Sequence, residues 1–370
     1  MDATGNKQEK IIVIQQVLDP TGIGGVSSEF KALERSSLQE EFEFVPVILK
    51  NPHKGISLKD ISFYYKKFKS IPAQIIQIRG ATIDGLNAQI AAHFCKKKKV
   101  MLCVHGLYSD IVYYNRLKKF IAKYFVEPLC FRLADGISCV YKDCEKRDIF
   151  KKFKNKMLPY VYNRLPNCSG FDINNLRIET RERYEIPSDS IVGIFCGRMS
   201  REKGLEFLAQ ALMNMGNGWP TNFVLLMVGD GDYLQTFQSK TKMLNGMHPR
   251  IIYTGSISNV FGLLAASDFF VMPSLHENHS IALLEAIAMK LPIIATDVGG
   301  NMDIIHDGEF GIKIRPFDAK DIEEAIKKMS IDSIRTSFKS KIMSYNFDEF
   351  SDCSIDSQLK KAYTTLLAFK

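Results

Sequence analysis

The sequence has no Cys-X-X-Cys pair, no Cys/His cluster at zinc spacing, and no apolar run near the ~18 residues of a membrane-spanning helix. Its first residues, MDATGNKQEK, are polar and lack the apolar core of a signal peptide, so the expected location is the cytosol. There the eight cysteines are expected to be buried thiols packing as small hydrophobes. Cys139 and Cys144 flank a charged turn, but a metal pair there is the weaker reading, and neither disulfide nor metal is expected. No internal repeat is visible, and no low-complexity segment beyond one lysine run.

Hydrophobic residues make up 46% of the chain and the mean hydropathy is −0.07, which excludes a disordered chain and describes a water-soluble globular one. At 370 residues it is too long for one ordinary core, so two domains of similar size are expected. The net charge of +8 is unevenly placed, about +11 over residues 1–180 and about −3 over the rest. Basic clusters interleaved with Tyr and Phe recur in the first half, as in YYKKFK at 64, RLKKFIAKYF at 116 and KKFKNK at 151. Singly each reads as a solvated helix face. Together they suggest a surface that meets something acidic, with anionic lipid headgroups or a diphosphate-linked substrate ahead of nucleic acid.

Short apolar runs alternate with helical stretches. IIVIQQV at 11, FVPVIL at 44, AQIIQIRG at 73, KVMLCVHG at 99 and GISCVY at 136 read as buried strands. The pattern lapses over residues 164–186, where charged residues gather with Pro166 and Pro187, and then restarts. IVGIFCG at 191, NFVLLMVG at 222, RIIYTG at 250, FFVMPS at 269 and PIIAT at 292 form a second set. Two successive doubly wound parallel sheets are therefore expected, with ligands outside the carboxyl ends of the strands and an interdomain cleft as the default site.

The loops after those strands carry the chemistry. In FCGRMSREKGLEFL, Arg198 and Lys203 follow the strand ending at Gly197 and lie beside a helix start, an arrangement that suits an anion. The alternative is a surface pair balanced by Glu202 and Glu206. In VGDGDYL, Asp230 and Asp232 read as a tight turn rather than a metal pair. TGIGG at 21–25 breaks the dinucleotide fingerprint because Ser27 stands where glycine is needed, but Gly24 and Gly25 still allow an anion close to the backbone. His105 ends a strand, and both a structural and a ligand-facing role stand open. In SLHENHSIALLEAIA, Ser280 is a good helix cap and places Glu285 about a turn and a half inside an otherwise apolar helix. Glu285 either accepts hydrogen bonds from a vicinal diol such as a ribose, or pairs with Lys290 or stays hydrated, and Glu277 sits in the loop ahead.

These segments, in this order, resemble the retaining GT-B glycosyltransferases, specifically the family numbered four, or glycosyl transferases group 1. The likeness is strongest over residues 191–315, through GRMSREKG, LLMVGDG, MPSLHENHSIALLEAIAMKLPIIATDVGG and DGEFGIKI, and looser in the first half through GIGGVS and VHGLYS. It implies an α/β GT-B fold of two Rossmann-like domains, residues 1–175 for the acceptor and 176–345 for the nucleotide sugar. A C-terminal helix over 346–370 would cross back onto the first domain. Arg198 and Lys203 would neutralise the diphosphate, Glu285 would bind the ribose, and Glu277 and His105 would meet the donor sugar. The backbone at His279, Ser280 and Ile281 would hold the distal phosphate. Gly24 and Gly25 would close over the phosphates, the strand-end Gly197 would also bind the nucleotide sugar, and the base would sit near Gly255 and Ser256.

The implied reaction is retaining, front-face transfer of a hexose or N-acetylhexosamine, UDP-sugars favoured, to a saccharide or lipid-linked acceptor, with no cofactor or metal. Peripheral contact with an anionic membrane surface is expected, and no nucleic-acid partner. ENHS stands where many relatives carry a Gly-Phe-Gly type loop, and Asp303 where a glutamate is common after the glycine pair, departures that bear on sugar choice. A sugar-nucleotide epimerase of the same fold is the principal alternative, and a nicotinamide-dependent enzyme the other.

Overall fold

A computed structural model describes residues 9–17, 25–220, 222–244 and 249–369. The chain forms two compact units, residues 1–164 with 348–370, and residues 165–347.

The first unit is built on β1 (Ile11–Val17), β2 (Phe42–Ile48), β3 (Ile75–Arg79), β4 (Lys99–Val104) and β5 (Gly136–Cys139). All pair in parallel in the order β2-β1-β3-β4-β5. Every residue of β3 is buried, as a parallel strand covered on both faces must be, and this is why its sequence runs apolar rather than alternating. The glutamines among its neighbours satisfy each other. The Gln15 side-chain amide donates to Gln77 Oε1 at 2.9 Å and to the Tyr363 hydroxyl at 3.1 Å. Tyr363 lies on the C-terminal helix Asp352–Ala368, which Ser351 caps and which Arg164 holds through Asp356 at 2.6 Å.

The second unit holds β6 (Ile191–Cys196), β7 (Phe223–Val228), β8 (Arg250–Gly255), β9 (Phe269–Met272), β10 (Ile293–Thr296) and β11 (Gly311–Ile314). These too are parallel, in the order β8-β7-β6-β9-β10-β11. Phe195, Phe223, Phe237 and Phe269 are fully buried among the helices of this unit. All ten strands expected from sequence are present. β11 was not expected: GIKI is short and opens with glycine, a poor strand former. A side chain at Gly311 would place Cβ 1.9 Å from the Ile293 carbonyl oxygen, so close pairing with β10 requires glycine. The first helix covers Gly25–Leu33, and a 3₁₀ turn, Ser37–Glu40, follows it.

In each sheet the chain reverses direction once, between β1 and β3 and between β6 and β9. A crevice at the carboxyl ends of the strands opens at such a switch point and is the usual ligand site of a doubly wound sheet.

Candidate functional site

The loops leaving β6 and β9 flank the switch point of the second unit and hold each other by backbone contact. Leu275 N donates to the Glu202 carbonyl, and Thr296 Oγ1 to the Ser274 carbonyl. Gly204 lets the loop after β6 meet the loop after β9, and Gly299 lets the loop after β10 meet it too. Gly204 has φ +68° and its Cβ would lie 1.8 Å from the Pro273 carbonyl oxygen; Gly299 has φ +57° and its Cβ would lie 2.0 Å from that of Glu277.

That contact sets Lys203 against Glu277. The ammonium bonds Glu277 Oε1, and Ser274 Oγ donates to the same oxygen at 2.9 Å. The two charged side chains are only 22% and 12% exposed, so each is the other's main compensation. The balancing role assigned to Glu206 falls elsewhere, since Glu206 pairs with Arg201 and Lys240. Arg198 is exposed on the same loop and forms no ion pair among the described residues.

The helix Ile281–Ala288 starts where sequence placed it. Ser280 is extended, and its hydroxyl accepts from Leu283 N. His279, just before the cap, is buried, and burial pushes its imidazole down to about 3, so the ring is neutral. Glu285 lies one turn further in and is partly buried. Among the described residues its carboxylate has no hydrogen bond and no ion pair, and burial raises it to about 7. Pairing with Lys290 is not realised: that ammonium sits 5.2 Å from the centroid of the Phe347 ring. Burial, and after it the Glu285 charge, pushes the Cys168 and Cys196 thiols up to about 11 and about 12.

Gly197 N donates to the Val228 carbonyl and Gly229 N to that of Gly255, so the ends of β6, β7 and β8 are tied in a row. Ser256, next to Gly255, is exposed. Asp230 Oδ1 accepts from Gly231 N at 2.7 Å, the geometry of a turn. Among the described residues no three His, Cys, Asp or Glu side chains gather as a metal site would need. All eight cysteines are free, Cys139 and Cys144 among the buried ones.

The structure thus gathers Lys203, Glu277, Ser280 and Glu285 on neighbouring loops and one helix. Ser274, overlooked in the sequence, joins them; a lone serine at a strand end gives no pattern to find it by. His105 and Gly25 belong to the first unit, Gly25 opening its first helix, and Gly24 lies outside the described residues. His105 Nε2 lies 3.6 Å from Glu29 Oε2, and Arg79 Nε lies 3.4 Å from the same oxygen. Sequence reasoning missed Glu29 and Arg79, although a charged residue closing the otherwise buried run IIQIR is a signal that finds Arg79.

Residues 190–332 match the family described as glycosyl transferases group 1. At 31% identity, 161 residues match the alpha-D-kanosaminyltransferase of Streptomyces kanamyceticus, covering 43% of this chain and 41% of that protein. Another 31% match, over 239 residues, is to a putative teichuronic acid biosynthesis glycosyltransferase, TuaC, of Bacillus subtilis and covers 63% of this chain and 56% of the relative. The chain therefore spans about half the length of these two relatives. Among solved structures, Anabaena Alr3699/HepE in complex with UDP-glucose superposes with a TM-score of 0.75 at 16% identity, covering 96% of this chain and 100% of the other. The two parallel sheets are those of the GT-B fold. Over residues 190–332 the chain is similar to the glycosyl transferases group 1 family.

Proposed function

We propose that the protein transfers a hexose or N-acetylhexosamine from a nucleoside-diphosphate sugar to a saccharide or lipid-linked saccharide in surface-glycan assembly. The observation that carries this reading is the unpaired, partly buried carboxylate of Glu285 on a capped helix beside the Lys203–Glu277 pair. An uncompensated carboxylate costs stability, and a vicinal diol donating two hydrogen bonds would offset that cost. Lys203, the exposed Arg198 and the N–H groups from His279 to Ile281 supply positive potential for a diphosphate. Glu277 is then left for sugar hydroxyls. Such groups stabilise charge developing on a leaving diphosphate without a metal, and the anomeric configuration would be retained by departure and attack on one face. The experiment is calorimetric titration with UDP, GDP and NAD. Micromolar binding of one nucleoside diphosphate, lost in Glu285→Ala, is expected. Preference for NAD, or unchanged affinity in the variant, would overturn the assignment.

A lipid-linked acceptor is favoured by one surface of the first unit. Leu117, Phe120, Ile121, Tyr124 and Phe125 are all exposed within nine residues, interleaved with Arg116, Lys118 and Lys123. The nearest acid, Glu127, is fully buried and accepts from Ser109 N and Oγ. An apolar patch interleaved with cations suits an anionic lipid surface. Sedimentation with phosphatidylglycerol vesicles at low salt is expected, absent with phosphatidylcholine and lost in Phe120→Glu/Phe125→Glu. Vesicle-independent self-association abolished by the same variant would assign the patch to a second copy instead. Among the described residues no helix is long and apolar enough to cross a membrane.

A further inference from the structure

At the carboxyl end of β11 the chain turns through Arg315, Pro316, Phe317 and Asp318 into the helix Ala319–Met329. The turn is tightly fixed. Pro316 locks its own φ, Arg315 N donates to Asp321 Oδ2 at 3.1 Å, and the Asp318 carboxylate caps the helix by accepting from Lys320 N and Asp321 N. Phe317 is thereby held at φ +64°, in the left-handed region that glycine or asparagine ordinarily fills behind a turn proline. A bulky residue there costs free energy, and Phe317 does not offset it by full burial, since it is 50% exposed. Its ring meets Phe207 edge-on, at 83° and with centroids 5.6 Å apart. Phe207 stands on the first turn of the helix Leu205–Asn214 and packs against the core of the second unit. The Phe317 ring therefore rests on a rigid base and keeps its other side in water.

We infer that Phe317, propped on Phe207, is a subsite for one neutral sugar ring of a glycan, built by the second unit alone. The inference rests on the glycosyl-transfer reading for which glycan is at hand, but not for the binding itself.

The charges around the two rings cancel. Glu206, beside Phe207, lies 3.7 Å from Arg201 Nη2 and 3.4 Å from Lys240 Nζ, and Arg315 Nη2 lies 2.8 Å from Asp318 and 2.7 Å from Asp321. A rim with as many carboxylates as cations attracts neither a phosphate nor an ammonium. Its carboxylate oxygens and guanidinium N–H groups remain able to bond hydroxyls. A sugar ring presents the matching combination, hydroxyls around its edge and an apolar C–H face that packs on an aromatic ring.

The exposed area sets the size of the occupant. Half of a side chain that buries roughly 150–250 Å² is about 100 Å², far below the ~800 Å² per partner of a stable protein interface and close to one face of a sugar ring. The position agrees. Asp297 N donates to the Ile314 carbonyl and Lys313 Nζ lies 3.4 Å from Asp297, so the turn after β11 adjoins the loop after β10. Phe207 follows Lys203 on the segment after β6. The subsite thus lies at the same end of the second sheet as the Lys203–Glu277 pair. A ring already held in place loses little freedom on binding, which suits weak capture of a flexible glycan.

Fluorine-19 spectra of protein labelled with para-fluorophenylalanine test the subsite without turnover. The resonance missing from Phe317→Ala identifies Phe317. On titration with neutral trisaccharides of glucose, galactose and N-acetylglucosamine, that resonance should shift with one of them at a roughly millimolar midpoint, and should not shift with UDP. Saturation transfer to the same trisaccharide should fall at least ~3-fold in both Phe317→Ala and Phe317→Gly. Phe317→Gly should also melt roughly 2–4 °C above Phe317→Ala, because alanine keeps a Cβ at positive φ and glycine does not. A Phe317 resonance indifferent to every trisaccharide, or saturation transfer unchanged in both variants, would overturn the subsite. So would a resonance that shifts with protein concentration alone, which would give the ring to a second copy of the chain. Melting of Phe317→Ala at or above Phe317→Gly would overturn the strained turn. If no nucleotide sugar is turned over while the resonance still shifts, the functional reading fails and the subsite stands.

Discussion

Replacing Glu285 with glutamine removes a charge that the folded protein holds at a cost. Burial raises this carboxyl from an ordinary 4.5 to about 7. At about 1.36 kcal/mol per unit that difference is about 3 kcal/mol of folding free energy. The sign follows from the direction of the shift: a carboxyl with a folded pKa above its unfolded value is protonated more readily when folded. Its penalty is absent below about pH 4.5, grows between 4.5 and 7, and is constant above that range. Glu285→Gln should therefore melt with the wild type at pH 4.5 and outlast it at pH 8, by roughly 5–10 °C for a unit of this size. Diol binding favours the ionised form, so nucleotide affinity in the wild type should rise with pH up to about 7 and level off, while the variant shows no such rise. Scanning calorimetry and titration at pH 5, 6, 7 and 8 measure both. An equal stability difference at pH 4.5 and pH 8, or none at pH 8, would refute the claim that Glu285 is a lone buried carboxylate.

Lys203→Met should lower turnover at least 100-fold by removing positive charge from the leaving diphosphate. It should also cost about 2–4 kcal/mol in urea unfolding, because Glu277 is stranded, and the added change Glu277→Gln should recover stability but not turnover. Gly204→Ala and Gly299→Ala should each cost about 3 kcal/mol or more, since a Cβ meets a carbonyl oxygen at 1.8 and 2.0 Å at positive φ; urea midpoints within experimental error of wild type would contradict the close loop packing. Arg315→Ala, on an exposed salt bridge to Asp321, should leave the urea midpoint within experimental error of wild type and serves as the surface control in the same measurements.

Most of the fold was legible because parallel strands buried on both faces write themselves as apolar runs, and ten such runs are strands. β11 was not legible because its glycine reflects a backbone approach to β10, a contact that local sequence does not encode. In the site, the Ser280 cap and the depth of Glu285 followed from helix chemistry within one segment. The Lys203–Glu277 pair did not, since the two residues are 74 positions apart and meet where Gly204 lets the loop after β6 approach the loop after β9. Sequence suggested Lys290 for Glu285 by its spacing, but Lys290 has φ +59° just past the helix end, and its ammonium reaches the Phe347 ring instead. Glu29 and Arg79 escaped notice because their partnership with His105 joins the ends of different elements of the first unit.

The central claim is transfer of a sugar from a nucleoside diphosphate held by Glu285 and Lys203. Its most direct test is nucleoside-diphosphate release from a panel of nucleotide sugars, with and without saccharide and lipid-linked acceptors, followed by identification of the product. Release should depend on acceptor, form a new glycosidic bond and be independent of added metal, and both release and bond formation should be lost in Lys203→Met and Glu285→Ala. Release independent of acceptor that leaves an epimerised sugar, or a wild-type rate in both variants, would contradict it.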